Sequence, residues 1–205
     1  KSYWLHLRGT RTTMSNIEYS FYYSGPLLFR TQITNEEIKQ IKKLIQKNTF
    51  PKENESPTCK MHVLDSSNIQ KILQPYLNAF KEAHKTWYQK DLHNLKVVSC
   101  WANNMKSGDF IPPHIHTNCL FSSVLFINEI PKKIMEENSK YMVGKPRGPG
   151  SLNFIYSVSK TNQHIQEMNY MPQKGDYFIF PKDLMHWVFP FKSKCNRISI
   201  AANYK

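Results

Sequence analysis

Ile111-Pro112-Pro113-His114-Ile115-His116-Thr117-Asn118 sets two histidines two residues apart, directly after a pair of prolines. In an extended chain residues i and i+2 face the same way, so this stretch predicts a strand that can offer two imidazoles to one ion. The prolines fix φ and stiffen the approach. Alone the pair is ambiguous, because histidines at this spacing also line ordinary polar strand faces. Its surroundings decide.

From Leu95 onward the chain breaks into short β-rich runs separated by turn residues: Leu95–Asn103, Ile111–Thr117, Leu120–Asn128, Leu152–Ser157, Tyr177–Pro181, Met185–Phe191 and Arg197–Asn203. Upstream the texture differs. A short strand over Phe21–Thr31, broken by Gly25-Pro26, precedes a helix signal at Thr34-x-x-Glu37, which has capping-box form. Ile38, Ile41, Leu44 and Ile45 then recur at helical spacing. Ser67-x-x-Gln70 opens a second helix with Ile69, Ile72, Leu73, Leu77, Phe80 and Trp87 on one side, and Pro75 must kink it or mark its first turn. The pattern predicts a mainly β fold with N-terminal helices, helical support over 14–94 and a β core over 95–204 in one domain. The strands would form a sandwich or open barrel backed by helices.

The 205 residues suffice to bury a core without disulfides. No apolar run approaches the roughly 20 residues that span a bilayer, and no secretory leader is evident. Cys59, Cys100, Cys119 and Cys195 lie far apart, as expected of reduced, mostly buried thiols in a cytoplasmic protein. The formal charge is +13; Lys1–Thr13, ahead of Met14, reads as an appended leader, and without its Lys1, Arg8 and Arg11 the charge is still +10. Such a balance suits an anionic partner such as nucleic acid, although a lysine-rich solvated surface accounts for it equally. One connection is long: Glu129 to Gly150 carries five basic residues and a Gly/Pro-rich end, as a lid or substrate-contact loop would.

The chemistry extends downstream. Gly175-Asp176-Tyr177-Phe178-Ile179-Phe180-Pro181-Lys182-Asp183-Leu184-Met185-His186 feeds a turn into an apolar strand and delivers a lone histidine at the start of the next. Neutral imidazole is a common metal ligand, and iron is among the metals it suits. Eleven residues on, Arg197-Ile198-Ser199 puts a guanidinium and a hydroxyl on one strand face, a good clamp for a carboxylate. The apolar neighbours Ile198, Ile200, Ala201 and Ala202 imply that the arginine is enclosed, so it needs an arriving anion or an internal partner such as Asp176 or Asp183.

The order H-x-H, then Phe121-Ser122-Ser123-Val124-Leu125-Phe126-Ile127, then G-D-x-x-x-F-P-x-x-x-x-H, then R-x-S-x-x-x-N resembles the 2-oxoglutarate and Fe(II)-dependent oxygenases over Cys100–Tyr204. It looks closest to a phage and bacterial branch whose first motif reads P-H-x-H. The resemblance implies a double-stranded β-helix (a cupin-like jelly roll). It implies Fe(II) as cofactor and 2-oxoglutarate as co-substrate, whose decarboxylation to succinate is coupled to substrate oxidation, by default hydroxylation. His114 and His186 match the first and last metal histidines. Arg197 matches the arginine that holds the distal carboxylate, with Ser199 assisting and Asn103 close by. Trp101, Phe121, Trp187 and Phe189 are candidates for dry walls.

One departure matters. The family's usual third ligand is a carboxylate, and His116 stands in its place. Three neutral imidazoles would leave +2 on the metal, which dianionic 2-oxoglutarate could neutralise. Either His116 is the third ligand, which is favoured, or the site has two protein ligands plus water or halide. Two other readings compete: a three-histidine cupin-like metalloenzyme without 2-oxoglutarate, and a basic binding module that has lost catalysis. Whether Arg197 faces the metal pocket separates the first from an oxygenase. The substrate stays open among protein side chain, nucleotide and small metabolite. The phage branch adds the expectation of a viral protein working in host cytoplasm.

Overall fold

Thr34 and Glu37 do close a reciprocal cap: the Thr34 amide donates to the Glu37 carboxylate at 2.9 Å and the Glu37 amide to Thr34 Oγ1 at 3.3 Å. They start helix α1 (Asn35–Lys47), whose Ile38 and Ile41 are buried. Helix α2 (Ser66–Tyr88) starts slightly before the expected Ser67, because Asp65 is its cap and accepts from the Asn68 amide at 2.8 Å. Pro75 lies inside α2, and Ile69, Leu73, Leu77 and Phe80 fill its buried face. The computed structural model describes residues 25–47, 58–140, 148–158 and 165–205. The expected leader and the beginning of the strand expected at Phe21 lie outside them.

The strands are β1 (Phe29–Gln32), β2 (Lys60–Val63), β3 (Val97–Met105), β4 (Ile111–His114), β5 (Phe121–Phe126), β6 (Leu152–Val158), β7 (Ile165–Tyr170), β8 (Asp176–Pro181), β9 (Met185–Val188) and β10 (Arg197–Tyr204). They form two antiparallel sheets, a major one in the order β1-β8-β5-β10-β3-β2 and a minor one in the order β4-β9-β6-β7. Antiparallel strands that cross repeatedly between two facing sheets make a double-stranded β-helix.

Period-two alternation splits the core into two layers. On one face of the major sheet Leu125, Tyr177, Ile179, Ile200 and Ala202 pack with the buried residues of α1 and α2. On the other, Met105, Phe126, Phe178 and Phe180 meet Leu152, Phe154 and Val188 of the minor sheet. The functional residues lie in this inter-sheet layer. The helical N-terminal segment also contributes β1, which overlaps the end of the strand expected over Phe21–Thr31, and β2; the two flank the major sheet on either side. Neither β2 nor β7 was expected. The span Glu129–Gly150 is not a bare loop: it contains α3 (Lys132–Ser139), pinned by mutual hydrogen bonds between the Asn138 side chain and the Lys192 backbone. Its Lys145 and Arg147 lie outside the described residues. Among the described residues, no helix is long and apolar enough to cross a membrane.

Asp176, fully buried, ties the two sheets together. Its carboxylate accepts from Arg30 at 2.9 Å, Gln32 at 3.2 Å, the Gln173 amide at 2.7 Å and, from the minor sheet, the Tyr170 hydroxyl at 2.9 Å. Asp176→Ala would strip the part-buried Tyr170 hydroxyl and Gln173 amide of their shared acceptor and open a hole in the buried layer, while half-exposed Arg30 could turn to water. The expected loss is about 2–4 kcal/mol, read as a lower urea midpoint with an unchanged m-value.

Candidate active site

β4 and β9 pair antiparallel, with His114 directly opposite His186. The pairing is irregular between Ile111 and His114, as two prolines without N–H groups require. The strand ends at His114, earlier than the expected Thr117. His116 belongs to the extended segment that follows and is fixed by its amide, which donates to the Lys182 carbonyl at 2.9 Å. The alternation nevertheless holds: Ile115 is turned outward at 47% exposure, and both histidine rings turn inward.

The three rings meet. Their centroids lie 4.2 Å apart for His114 and His186, 5.1 Å for His116 and His186, and 5.2 Å for His114 and His116. One nitrogen from each falls within 4.8 Å of the others, and His116 Nε2 is 3.3 Å from His186 Nε2. The remaining nitrogens set the tautomers. His114 Nδ1 donates to the Pro112 carbonyl and His186 Nδ1 to the Leu184 carbonyl, each at 2.8 Å, because a carbonyl can only accept. That leaves both Nε2 lone pairs facing the cluster, the arrangement by which backbone carbonyls orient metal-binding imidazoles. Burial, aided by the charge His114 would carry, lowers the His116 pKa to about 4 and that of His186 to about 3. Both rings are neutral at pH 7, as ligation requires.

Facing them across a cavity of about 440 Å³ is the inner face of the major sheet. Register builds it in rows: Ser199 pairs with Asn103 and Asn103 with Met61, while Arg197 pairs with Met105. Arg197, Ser199 and Asn103 thus line the same cavity as the three histidines. Arg197 is 2% exposed. Its Nη1 donates to Met105 Sδ at 3.2 Å, its guanidinium carbon sits 4.7 Å from the centre of the Phe126 ring, and its Nη2 has no hydrogen-bond partner. The Ser199 hydroxyl also lacks one. Burial pulls the Arg197 pKa down to about 9, with Cys59 opposing weakly. Gly150, at φ +73, is needed beside this corner for its left-handed backbone and for Ile130: a Cβ would collide with the Ile130 side chain, whereas Arg197 Cδ, at 3.7 Å, would be in ordinary contact.

Neither carboxylate weighed as an internal partner serves. Asp176 is taken up by Arg30 and its neighbours, and the Asp183 side chain is largely exposed beside Lys182. Among the described residues, no acid lines the cavity. Asp109, the acid nearest upstream of the histidines, instead accepts from the Lys106 amide at 2.7 Å. An enclosed guanidinium whose Nη2 is unpaired and a buried hydroxyl without a partner, opposite three converging imidazoles, fit a carboxylate-bearing ligand bound beside a metal ion.

Of the four aromatics expected as walls, Trp101 alone lines the cavity. Phe121 packs on the helical side, and Trp187 and Phe189 pack against each other at 6.1 Å. Phe180, 4.7 Å from the His186 ring, is the wall that sequence reasoning missed, although it stood inside the motif containing Asp176. Cys59 and Met61 were missed too, and no motif marks them.

Two facing antiparallel sheets, with three converging histidines on one side of the cavity and a buried arginine on the other, match the architecture of the double-stranded β-helix oxygenases. The family described as "Putative 2OG-Fe(II) oxygenase" matches residues 99–203, just over half of the chain, and the chain belongs to it. It is therefore an oxidoreductase, a dioxygenase that depends on Fe(II) and 2-oxoglutarate. Solved structures agree on the fold. A prolyl-4-hydroxylase from Pseudomonas putida is 12% identical with a TM-score of 0.56, covering 87% of this chain and 91% of that one. The viral collagen prolyl hydroxylase of Paramecium Bursaria Chlorella virus-1, in complex with 2-oxoglutarate, is 12% identical at TM-score 0.54, covering 86% and 94%. A 2OG-Fe(II) oxygenase family oxidoreductase from Burkholderia pseudomallei is 13% identical at 0.57, covering 88% and 84%. No curated protein shows a significant sequence match.

The depressed histidines set an acid limit. Above pH 6.5 folded and unfolded chains both hold neutral rings, so nothing is lost. Between about 6.5 and 4 the unfolded chain takes up protons that the folded cluster refuses, and stability falls as pH falls. Each ring can contribute at most about 1.4 kcal/mol per pH unit. Urea melts of metal-stripped protein at pH 7 and pH 5 should show the drop, and His186→Asn should flatten it.

Proposed function

We propose that His114, His116 and His186 hold Fe(II), that Arg197, Ser199 and Asn103 seat 2-oxoglutarate, and that the enzyme hydroxylates a substrate reaching the cavity past Trp101. The observation that carries this reading is the buried guanidinium of Arg197, whose Nη2 has no partner on the same cavity that the imidazoles face. A three-histidine enzyme with no 2-oxoglutarate would have no use for an enclosed cation there.

Iron, when bound, supplies the oxygen activation that couples loss of carbon dioxide from 2-oxoglutarate to oxidation of the substrate. The chain's residues do the rest. The Pro112 and Leu184 carbonyls hold the His114 and His186 rings so that their Nε2 atoms converge. Arg197 and Ser199 donate to the far carboxylate and thereby fix the co-substrate's orientation. Phe180, Leu152 and Val188 keep water from the reacting centre. Three neutral ligands leave the ion's double charge for the co-substrate to balance.

Two of the solved structures above are prolyl hydroxylases, which makes a prolyl peptide the first substrate to screen, followed by nucleotides and nucleic acid in view of the +13 charge. Four free cysteines agree with work in a reducing cytoplasm, a host's if the protein is viral.

Calorimetry on the iron-loaded, oxygen-free protein tests the co-substrate site. Arg197→Lys should weaken 2-oxoglutarate by about tenfold or more and leave iron affinity alone, since a point charge cannot replace the planar fork. Equal 2-oxoglutarate affinity in both proteins would remove the reading. The third ligand has its own test. His116→Ala should lose iron, whereas His116→Asp should keep it and bind 2-oxoglutarate less tightly, because the carboxylate cancels part of the ion's charge. Full iron occupancy in the alanine variant would make the site a two-histidine one.

A further inference from the structure

Cys59 stands just before β2, where nothing in the reaction has yet called on it. Lys60 pairs with Asn104, so Cys59 falls level with Met105, and Met105 pairs in turn with Arg197. Cross-strand neighbours share a sheet face, which sets Cys59, Met105 and Arg197 in one row across β2, β3 and β10. All three side chains are at least nine-tenths buried, and Cys59 and Arg197 both line the cavity. The next row, Met61, Asn103 and Ser199, lines it as well.

We infer that Cys59 is a further binding group of the co-substrate pocket, its thiol packed beside the Arg197 guanidinium where the far carboxylate comes to rest. This rests on the reading of Arg197 as the carboxylate anchor. The independent sign of a ligand is that Arg197 Nη2 and Ser199 Oγ, both buried in this corner, have no partner. Cys59 and Arg197 are close enough for each to act on the other's ionisation. Burial, reinforced by Asp109, pushes the thiol's pKa up, so it stays protonated. A protonated thiol cannot neutralise Arg197, but it can donate a weak hydrogen bond to a carboxylate oxygen. It also sets the depth of the pocket: a larger side chain would occupy the space the carboxylate needs, without reaching the histidines on the opposite sheet.

The test combines affinity with labelling on the full chain, iron-loaded and kept free of oxygen. By calorimetry, Cys59→Leu should weaken 2-oxoglutarate by about tenfold or more, Cys59→Ala by about two- to fivefold, and Cys59→Ser hardly at all. Iron affinity should stay within about twofold in each. In the wild type, the small thiol reagent methyl methanethiosulfonate should modify Cys59 more slowly when 2-oxoglutarate is present. Cys100 and Cys119, also buried but outside the cavity, report any general stabilisation and should be protected less. Cys59→Leu that folds and binds 2-oxoglutarate like the wild type overturns the proposal. So does wild-type protein that binds 2-oxoglutarate with no selective protection of Cys59; either result leaves the role of Arg197 intact. Wild-type protein that binds iron but no 2-oxoglutarate removes the anchor reading and this inference with it.

Discussion

A guanidinium held under protein without a counter-ion is among the costlier things a fold can keep, and among the described residues Arg197 has none. The chain softens the cost without cancelling it. The Phe126 ring offers its face and Met105 a weak sulfur acceptor. Neither carries negative charge. The nearest buried carboxylate on the same sheet face, Asp176, is kept busy by Arg30, Gln32 and Tyr170. The unspent electrostatic attraction is thereby reserved for a ligand, and the division of labour between two sheets follows. One sheet carries the cation and hydroxyl, the other the imidazoles, and the cavity between them is wide enough for a dicarboxylate and part of a substrate.

Replacing the family's usual carboxylate by His116 changes the charge balance more than the geometry. A histidine at this position reaches the cluster although β4 has already ended, because the Lys182 carbonyl pins its amide. With His116 as the third ligand, as proposed, the ligand set would be neutral, and no acid among the described residues of the cavity wall makes up the difference. A metal held this way draws its compensating charge wholly from what binds next. Ion and dianion are then mutually dependent, each stabilising the other's occupancy.

Much of the site could be read from residues alone because its chemistry is local. An H-x-H pair needs only strand alternation to converge, and R-x-S needs the same. The Thr34–Glu37 cap was legible for a similar reason, since both partners lie within one turn. What escaped reading depends on pairing at a distance. β2 is four residues at a sheet edge with no clean alternation of burial, and β7 holds the opposite kind of edge with a polar sequence. Neither shows a pattern without its neighbour. Cys59 is invisible for the same cause: only the register of β2 on β3 sets it beside Arg197. Ser67 looked like a cap, but Asp65 takes that role by accepting from the Asn68 amide, which leaves Ser67 inside the first turn. Trp187 had the right chemistry but sits between His186 and Val188, which line the cavity, so strand alternation turns it away, and Phe189 follows the end of β9.

Held by His114 and His186 as proposed, the ion would be a clasp as well as a reagent. β4 is an edge strand of four residues, and Pro112 and Pro113 give it no amides to spend on the ladder. An ion shared by the two strands joins positions about seventy residues apart in the chain, and so removes from the unfolded ensemble the freedom of a large loop, as a covalent cross-link would. Occupancy of the centre and attachment of β4 are one equilibrium seen from two sides. The strand that presents the ligands is also the one least able to stay without what they bind, which makes it a natural door for the metal's entry and exit.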